Sequence, residues 1–367
     1  MEEGAWYHMK FSVIVPVYNA DNTLCSAISG LIDGQKCCSN GNCEVLLIEN
    51  GSTDRTAALC DELAKKFEAV TAFHEGPTGA YAARRIGMTK AKGDWLLFMD
   101  ADDCYVPGGI EKLSDFIDSF AEYESAPDLI LYDWEKIQSR NTTVRHYLYE
   151  NKKLYEGKEL EAFYSLMCDG DSLNALWNKC VKRSLIQGMD NKPEVFLNHG
   201  EDLLQTAELI DRARSIAYLS ETVYKYNNND SGITGTYSDA FLTEQEYAWS
   251  EFDGYVEQWE KAVLDSIPGE MCNYKELVVR RKALTCVIAV KTLIFSSLRG
   301  KEKAAGLADI MESDFYKKYA SFSLPEWVSE EDMFIRGIMD GNDAQKKLLA
   351  LAFKSGIKSW IKGRIRK

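Results

Sequence analysis

The chain has 367 residues, 46% of them hydrophobic, which is enough to build a sizeable core in one large or two moderate domains. Its formal net charge of -14 argues against general nucleic-acid binding, which needs a basic surface. No run of roughly 18 apolar residues predicts a membrane-spanning helix and the start has no signal-peptide pattern, so we expect a cytoplasmic protein.

Strand and helix patterns alternate over the first hundred residues. Strand-like apolar runs cover 11–18, 43–49, 70–75 and 94–100, and helical patterns cover 22–32, 52–67 and 79–91. Ser52 or Thr53 is a candidate N-cap for the second of these helices. Apolar strands separated by helices predict an α/β fold with a mostly parallel, doubly wound sheet that is covered on both faces.

The cysteines give no disulfide framework. Ten are scattered along the chain, many of them inside apolar strand or helix patterns, which favours reduced thiols used as small core residues. One cluster, KCCSNGNC at 36–43, could form a metal site. It lacks a second ligand pair at zinc-finger spacing and lies in a Gly/Asn/Ser loop, so we expect thiols here and keep a metal site as the alternative.

Polar residues occupy the predicted carboxyl ends of the strands, where sheets of this kind bind ligands. These ends carry PVYN at 16–19, EN at 49–50 and DADD at 100–103. The carboxylates of Asp100, Asp102 and Asp103 repel one another unless a cation lies among them. Oxygen ligands at a strand end suit Mg²⁺ or Mn²⁺, although a solvated turn also explains so short a motif.

The pattern is mixed from 104 to 235 and becomes helical beyond it. Helices are predicted near 108–121, 157–168 and 201–212, and strands near 128–137 and 143–149, with a strand pair over 215–234. Long segments at 240–265 and 273–298 have helical periodicity and almost no strand signal. We therefore expect a helical C-terminal region that starts at about 236.

The last segment, 346–367, contains eight Lys or Arg residues and no acidic residue. Apolar residues recur every four positions at Leu349, Phe353, Ile357, Ile361 and Ile365, beside a basic row of Lys354, Lys358, Lys362 and Arg366. This basic amphipathic helix favours peripheral contact with an anionic membrane, at the inner face of the cell membrane. Docking on the acidic body of its own chain is the alternative.

Six segments resemble, in order, the successive motifs of family 2 glycosyltransferases with the GT-A fold. They are SVIVPVYNADNTLCSAISGLI, EVLLIENGSTDRT, GAYAARRIGMTKAKGDWLLFMDADD, LWNKCVKRSLI, GEDLLQTAELI and VYKYNNNDSGIT. The resemblance implies a Rossmann-like GT-A domain over 11–235, with a nucleotide-binding half at 11–103 and an acceptor half at 104–235. Residues 1–10 would be an N-terminal extension, and 236–367 the helical region.

The resemblance also assigns donor-side roles. It places Pro16, Tyr18 and Asn19 at the nucleobase pocket, and Glu49 and Asn50 at a pair of acids that contacts the base. This resemblance favours a UDP-sugar. The identity of the base stays open, because Asn50 both donates and accepts hydrogen bonds whereas an Asp only accepts them.

Phosphate and metal roles follow from the same resemblance. Arg84 matches an Arg near the nucleotide, with a solvated helix charge as the alternative. Asp100 and Asp102 match the Asp-x-Asp pair that holds ribose and metal, with Asp102 as the primary metal ligand. Asp103 extends the motif and could bind the metal or start the next turn.

The catalytic base falls by resemblance on the Glu201–Asp202 pair, with Asp202 as the expected base. Glu201 and His199 are alternatives, because geometry decides which group reaches the acceptor hydroxyl. Acidic residues that open a helix are also explained by the helix dipole. On the acceptor side, Trp177 could stack on a sugar or serve the core, and Lys179 could pair with phosphate or be solvated.

The implied activity is inverting transfer of a hexose or N-acetylhexosamine from a UDP-sugar to a glycan or lipid-linked acceptor, dependent on Mg²⁺ or Mn²⁺. The setting would be polysaccharide or cell-envelope biosynthesis. One alternative is a sugar-1-phosphate nucleotidyltransferase, which would need a Gly-rich loop with Arg where this chain has PVYNADN. Another is a non-catalytic nucleotide-sugar or glycan-binding scaffold with the same fold.

Overall fold

The computed structural model describes residues 10–121, 126–138, 141–189, 196–227, 237–266 and 272–365, and beyond Lys354 it describes the backbone alone. These residues form two compact units. The first contains the described residues up to Phe163 and those from Ser172 to Asn227, and the second contains Tyr164–Asp171 and the described residues beyond 236. The predicted boundary at 235 lies outside the described residues.

The first unit is built on one sheet. Its strands are β1 (Phe11–Val17), β2 (Cys43–Asn50), β3 (Val70–Glu75), β4 (Trp95–Phe98), β5 (Cys104–Tyr105), β6 (Leu129–Gln138), β7 (Asn141–Arg145), β8 (Leu154–Glu156), β9 (Lys179–Lys182) and β10 (Ser215–Asn227). Its helices are α1 (Leu24–Gly34), α2 (Lys36–Ser39), α3 (Thr56–Lys66), α4 (Gly79–Lys90), α5 (Gly109–Asp118) and α7 (Glu201–Arg212); α6 (Glu161–Asp169) begins here.

The strand order is β3-β2-β1-β4-β9-β6-β10-β5, with β7 beside β6 and β8 beside β10. The first four strands are parallel, as are β6 and β10, whereas β9 runs antiparallel between β4 and β6. The predicted α/β class with a mostly parallel core is therefore confirmed. The strand β9 was not predicted, and the expected strand pair over 215–234 is, within its described part, a single strand with register shifts near Leu219 and Thr222.

The core of this unit explains the parallel strands. Every residue of β2 is buried, and all of β1 except Pro16 is buried, as expected for strands covered on both faces. From α1, the side chains of Leu24, Ile28 and Leu31 pack into this core, while α4 packs on β1 and β2. The sheet therefore holds α4 in a fixed position above the first two strands.

Helix α3 begins later than predicted. Its first residue is Thr56 and its N-cap is Arg55, so the expected cap at Ser52 or Thr53 is wrong. Both residues instead form hydrogen bonds with Asn19. The Asn19 N–H donates to Ser52 Oγ at 3.0 Å, and Asn19 Oδ1 accepts the Thr53 N–H at 2.9 Å. A contact between two strand-end loops has replaced the local cap.

The second unit is helical, which confirms that part of the prediction. Beyond residue 236 its helices are α8 (Phe241–Ser266), α9 (Tyr274–Phe295), α10 (Gly300–Glu312), α11 (Asp314–Tyr319), α12 (Glu330–Met339) and α13 (Ala344–Ile365). Trp259 stacks on Tyr164 at 4.9 Å between ring centroids, and Arg281 donates to the Met167 carbonyl. Within the described ranges, no helix is long and apolar enough to cross a membrane.

The packing of α4 on the sheet gives a stability prediction. A Cβ at Gly87 would lie 2.3 Å from Cγ2 of Ile14 in the buried core, so Gly87→Ala overpacks the α4–sheet contact. We expect a net loss of about 1–2 kcal/mol in the free energy of unfolding, measured by urea denaturation, even though Ala favours helix by about 1 kcal/mol.

The matched control is Gly30→Ala in α1, where a Cβ meets no atom within 4 Å. This change should be neutral or stabilise by up to about 1 kcal/mol through helix propensity. Equal effects of the two substitutions would contradict the packing argument.

Candidate active site

The strand ends with polar residues lie at one edge of the sheet. Val17 at the end of β1 pairs with Glu49 near the end of β2, and Ile14 pairs with Phe98 at the end of β4. Because these three strands are parallel, the segments PVYN, EN and DADD all lie at the edge formed by the carboxyl ends of the strands, as the sequence predicted.

Arg84 joins this edge to the first turn of α7. The side chain lies on α4 with 6% of its surface exposed. One of its terminal nitrogens, Nη2, donates to Asp100 Oδ1 at 3.1 Å, and the other, Nη1, donates to Asp202 Oδ1 at 2.8 Å. Glu201 Oε1 lies 3.5 Å from Nη1. A single guanidinium therefore brings the predicted metal-side and base-side carboxylates together, although they lie a hundred residues apart.

Burial and charge oppose each other in this cluster. Burial raises the pKa of Glu201 to about 8, and burial also raises the pKa of Asp202. The charge of Arg84 opposes this by acting to lower both pKa values. For Arg84, burial acts to lower the pKa, but Asp202, Asp100 and Glu201 outweigh it and the pKa is raised. The guanidinium thus stays charged, and Glu201 and Asp202 hold protons more tightly than exposed carboxylates do.

The turn that carries Asp100 to Asp103 is fixed by β10. Asp103 is buried, and its two carboxylate oxygens accept hydrogen bonds from the Tyr224 hydroxyl at 2.9 Å and the Asn227 N–H at 2.7 Å. The Asn227 side chain also donates to the Asp102 carbonyl at 2.7 Å. Burial, followed by the charge of Asp100, raises the pKa of Asp103 to about 9. Asp103 therefore shapes the turn, with both oxygens already in use.

Asp100 and Asp102 remain as candidate cation ligands. Asp100 keeps 33% of its side chain exposed, and Asp102 is half-buried. In the described part of the chain, no set of three histidine, cysteine or carboxylate ligands converges at this edge. Two carboxylates fit Mg²⁺ or Mn²⁺, since such ions are often held by one or two carboxylates plus substrate phosphates and water.

The predicted nucleobase residues lie at the ends of β1 and β2 or directly after β1. Glu49 is buried, and its Oε1 accepts the Ser52 N–H at 2.6 Å; Asn50 Oδ1 accepts the Thr78 N–H at 2.7 Å. Asn19 has a left-handed backbone (φ 47°), and its side chain bonds to Thr53. Tyr18 is 49% exposed and available to a ligand. Pro16 is half-buried within β1.

The predicted acceptor-side residues are more buried than expected. Lys179 is buried, and its ammonium donates to the carbonyls of Leu173 and Ala175 and to Asn178 Oδ1, so it is neither solvated nor placed for phosphate. Burial lowers its pKa to about 7.

Trp177 stacks on Tyr224 at 4.9 Å and belongs to the hydrophobic core, which favours its structural role. His199 is buried just before Gly200 and α7. It is therefore close in sequence to the predicted base pair but lies away from solvent.

Residues 12–172 match the family model described as glycosyl transferase family 2. The match covers a little under half of the chain. Glycosyltransferase GlyA of Streptococcus pneumoniae is 24% identical over 66% of this chain, and the match spans 34% of GlyA. EpsH of Bacillus subtilis, whose name also describes a glycosyltransferase, is 22% identical over 68% of this chain and 72% of its own length.

Among solved structures, S. aureus TarS 1–349 in complex with UDP-GlcNAc aligns with a TM-score of 0.48 and 16% identity. The alignment covers 97% of this chain and 92% of that one.

Two residues of β10 that hold the turn, and one ion pair of α4, were not predicted. Tyr224 and Asn227 lie in the VYKYN segment that carried the resemblance, but nothing in one sequence links them to Asp103. Arg85 is buried and pairs with Glu208 of α7 at 2.9 Å, so a second arginine of α4 also reaches that helix.

The raised pKa of Glu201 predicts how stability depends on pH. Between its ordinary value of 4.5 and about 8, the folded chain binds more protons at this site than the unfolded chain. Stability contributed by protonated Glu201 is therefore lost as pH rises through this window. Glu201→Gln removes this titration and should be more stable than wild type at pH 8 by at least about 1 kcal/mol, but equal to it near pH 5.

Urea midpoints at pH 5 and pH 8 would measure this difference. The exposed Glu62→Gln on α3 is the matched control and should follow wild type at both pH values. A Glu201→Gln protein with the same pH dependence as wild type would contradict the assignment.

Proposed function

We propose that this chain is an inverting glycosyltransferase that moves a hexose or N-acetylhexosamine from a UDP-sugar to a glycan or lipid-linked acceptor. The family match supports sugar transfer, and the motif resemblance supports the UDP donor. The GT-A domain would bind the donor at the sheet edge that carries PVYN, EN and DADD, and the product would enter a polysaccharide of the cell envelope.

One observation carries this proposal. Arg84 bonds to Asp100 on one side and to Asp202 on the other. The donor-side carboxylates and the candidate base therefore share a buried cation, which sets their separation before any substrate arrives. A transferase needs such a fixed spacing, because the acceptor hydroxyl must attack the sugar opposite the leaving diphosphate.

Asp102 would be the primary ligand of Mg²⁺ or Mn²⁺, with Asp100 beside it on the ribose and metal side. Asp103 would hold the turn through Tyr224 and Asn227 instead of binding the ion. When bound, the cation would offset the negative charge that develops on the leaving diphosphate. The chain contributes by presenting both carboxylates from one short, well-bonded turn.

Asp202 would accept the proton from the acceptor hydroxyl. Its pKa is raised by burial, so the ionised carboxylate is a stronger base than an exposed Asp. Arg84 donates a hydrogen bond to one oxygen of the Asp202 carboxylate and so orients it. Glu201 lies in the same turn and remains the alternative base.

Activity measurements on substituted chains test these roles. With a panel of UDP-sugars and Mn²⁺, Asp102→Ala and Asp202→Asn should each lower donor hydrolysis or transfer by about 10²-fold or more. Asp115→Asn, an exposed residue of α5 in the same unit, is the control and should keep full activity.

The variants also separate the roles. Asp102→Ala should weaken the Mn²⁺ dependence and UDP binding together, whereas Asp202→Asn should keep UDP binding, measured by calorimetry, and lose turnover. Full activity in both variants would overturn the assignments. Tight UDP binding by the wild type without any turnover across the panel would instead indicate a binding scaffold.

We also propose that the basic C-terminal helix contacts an anionic membrane and so brings the enzyme to a lipid-linked acceptor. Helix α13 runs to Ile365, and on it Phe353 is 72% exposed and Lys354 is exposed. The side chains further along the predicted apolar and basic rows, up to Ile365, and Arg366 itself lie outside the described residues. An exposed Phe beside a Lys is what a surface-binding helix presents to lipid headgroups.

Co-sedimentation with vesicles tests this contact. The full chain should bind vesicles containing anionic lipid and should be released by high salt, while a chain lacking 346–367 should stay in solution. Vesicles of neutral lipid are the control and should bind neither protein. Equal binding of both proteins to anionic vesicles would refute the membrane role of the tail.

A further inference from the structure

Three thiols of the first unit converge outside the proposed active site. Cys37 and Cys38 lie on α2, and Cys43 is the first residue of β2. Their sulfur atoms all lie within 4.8 Å of one another, and the residues are only 8%, 6% and 1% exposed. Zinc–sulfur bonds are about 2.3 Å long, which puts sulfurs of a tetrahedral site roughly 3.8 Å apart. The cluster is therefore close to the size of a zinc site.

The carboxylate of Glu111 on α5 lies beside this cluster, in contact with the Cys37 backbone. Its Oε1 accepts the Cys37 N–H at 2.9 Å, which holds the side chain against the thiols. Its Oε2 is buried and has no hydrogen-bond partner among the described residues. A buried acceptor without a partner is destabilising, and a bound cation would satisfy it. The three sulfurs supply three ligands of a tetrahedral site, and this carboxylate, which lies outside the 4.8 Å group, would supply the fourth by turning toward them.

The backbone around the thiols is already ordered. Gly41 has a φ of 80°, a left-handed conformation that favours glycine and closes the loop between Cys38 and Cys43. The Asn42 N–H donates to the Cys37 carbonyl at 3.1 Å. Gln35 ties this segment to the start of α5 by donating to the Val106 carbonyl and accepting the Ile110 N–H. The ligands on α2, β2 and α5 are thus held together independently of any ion.

Zinc binds cysteine as the thiolate, so an ion at this cluster would displace the thiol protons. Its binding should therefore strengthen as pH rises.

We propose that Cys37, Cys38, Cys43 and Glu111 bind one zinc ion in a closed, structural site. The ion would fasten the loop between α2 and β2 to α5, which follows the turn with Asp100 and the short strand β5. It would stabilise the nucleotide-binding half without taking part in sugar transfer. The sequence favours reduced thiols over a metal at this cluster, because a second ligand pair at zinc-finger spacing is lacking.

The test uses the full chain, reduced and stripped of metal with a chelator, and then titrated with Zn²⁺ or Co²⁺. We expect one equivalent of Zn²⁺ to remain bound after gel filtration, and Co²⁺ to give thiolate charge-transfer bands of a tetrahedral site. Cys38→Ser and Cys43→Ser should abolish this binding, and Glu111→Gln should weaken it by about tenfold or more. Cys60→Ser, a buried thiol of α3 outside the cluster, is the matched control and should bind normally.

A second measurement needs no variant. In wild type, Zn²⁺ should protect the peptides that contain Cys37, Cys38 and Cys43 from alkylation, without protecting the exposed Cys25. Absence of bound Zn²⁺ in wild type, full retention by Cys38→Ser, or alkylation unchanged by Zn²⁺ would each overturn the proposal. Because transfer activity is not the readout, the proposal can fail while the proposed function stands, and the reverse.

Discussion

A buried guanidinium surrounded by carboxylates is the constraint on which the site depends. Removing the Arg84 charge from water is costly, and several acidic groups must compensate for it. Asp100 and Asp202 do so by direct hydrogen bonds and Glu201 by proximity, so the three acids are located by the cation. Arg84 is itself located by α4, which packs closely on β1 and β2 at Gly87. The position of a loop acid and the start of α7 therefore follow from sheet packing.

The neighbouring arginine strengthens the same connection. Arg85 pairs with Glu208, which lies further along α7 than Asp202, and the Arg85 guanidinium lies over the Tyr81 ring at 5.5 Å. Two buried pairs at different heights fix both the position and the rotation of α7 against α4. If Asp202 is the base, this is the alignment that the transfer reaction would require, because small displacements of a base reduce its effect strongly.

Much of this could be predicted from the sequence, and the exceptions share one physical cause. The parallel strands and most helices follow from apolar runs and periodicity, and the strand-end rule places PVYN, EN and DADD at one edge. The errors at Ser52 and β9 arise where a side chain or strand has a distant partner. Ser52 bonds to Asn19, and β9 pairs with β4 and β6. Such partners have no local signature, so propensity favours the nearer alternative.

Charge balance is the strongest physical reason for proposing a divalent cation at DADD. Asp100, Asp102, Glu201 and Asp202 lie on or near one edge, and the Arg84 guanidinium already donates to two of them. The ammonium of Lys179, which would otherwise be the natural second cation, is buried against backbone carbonyls. A donor diphosphate would bring further negative charge to this edge. Protons on Glu201 and Asp202 could relieve some of the repulsion, but a protonated Asp202 could not act as a base. A cation held by Asp102 would relieve the repulsion without a proton on Asp202, so donor binding and base catalysis would be compatible.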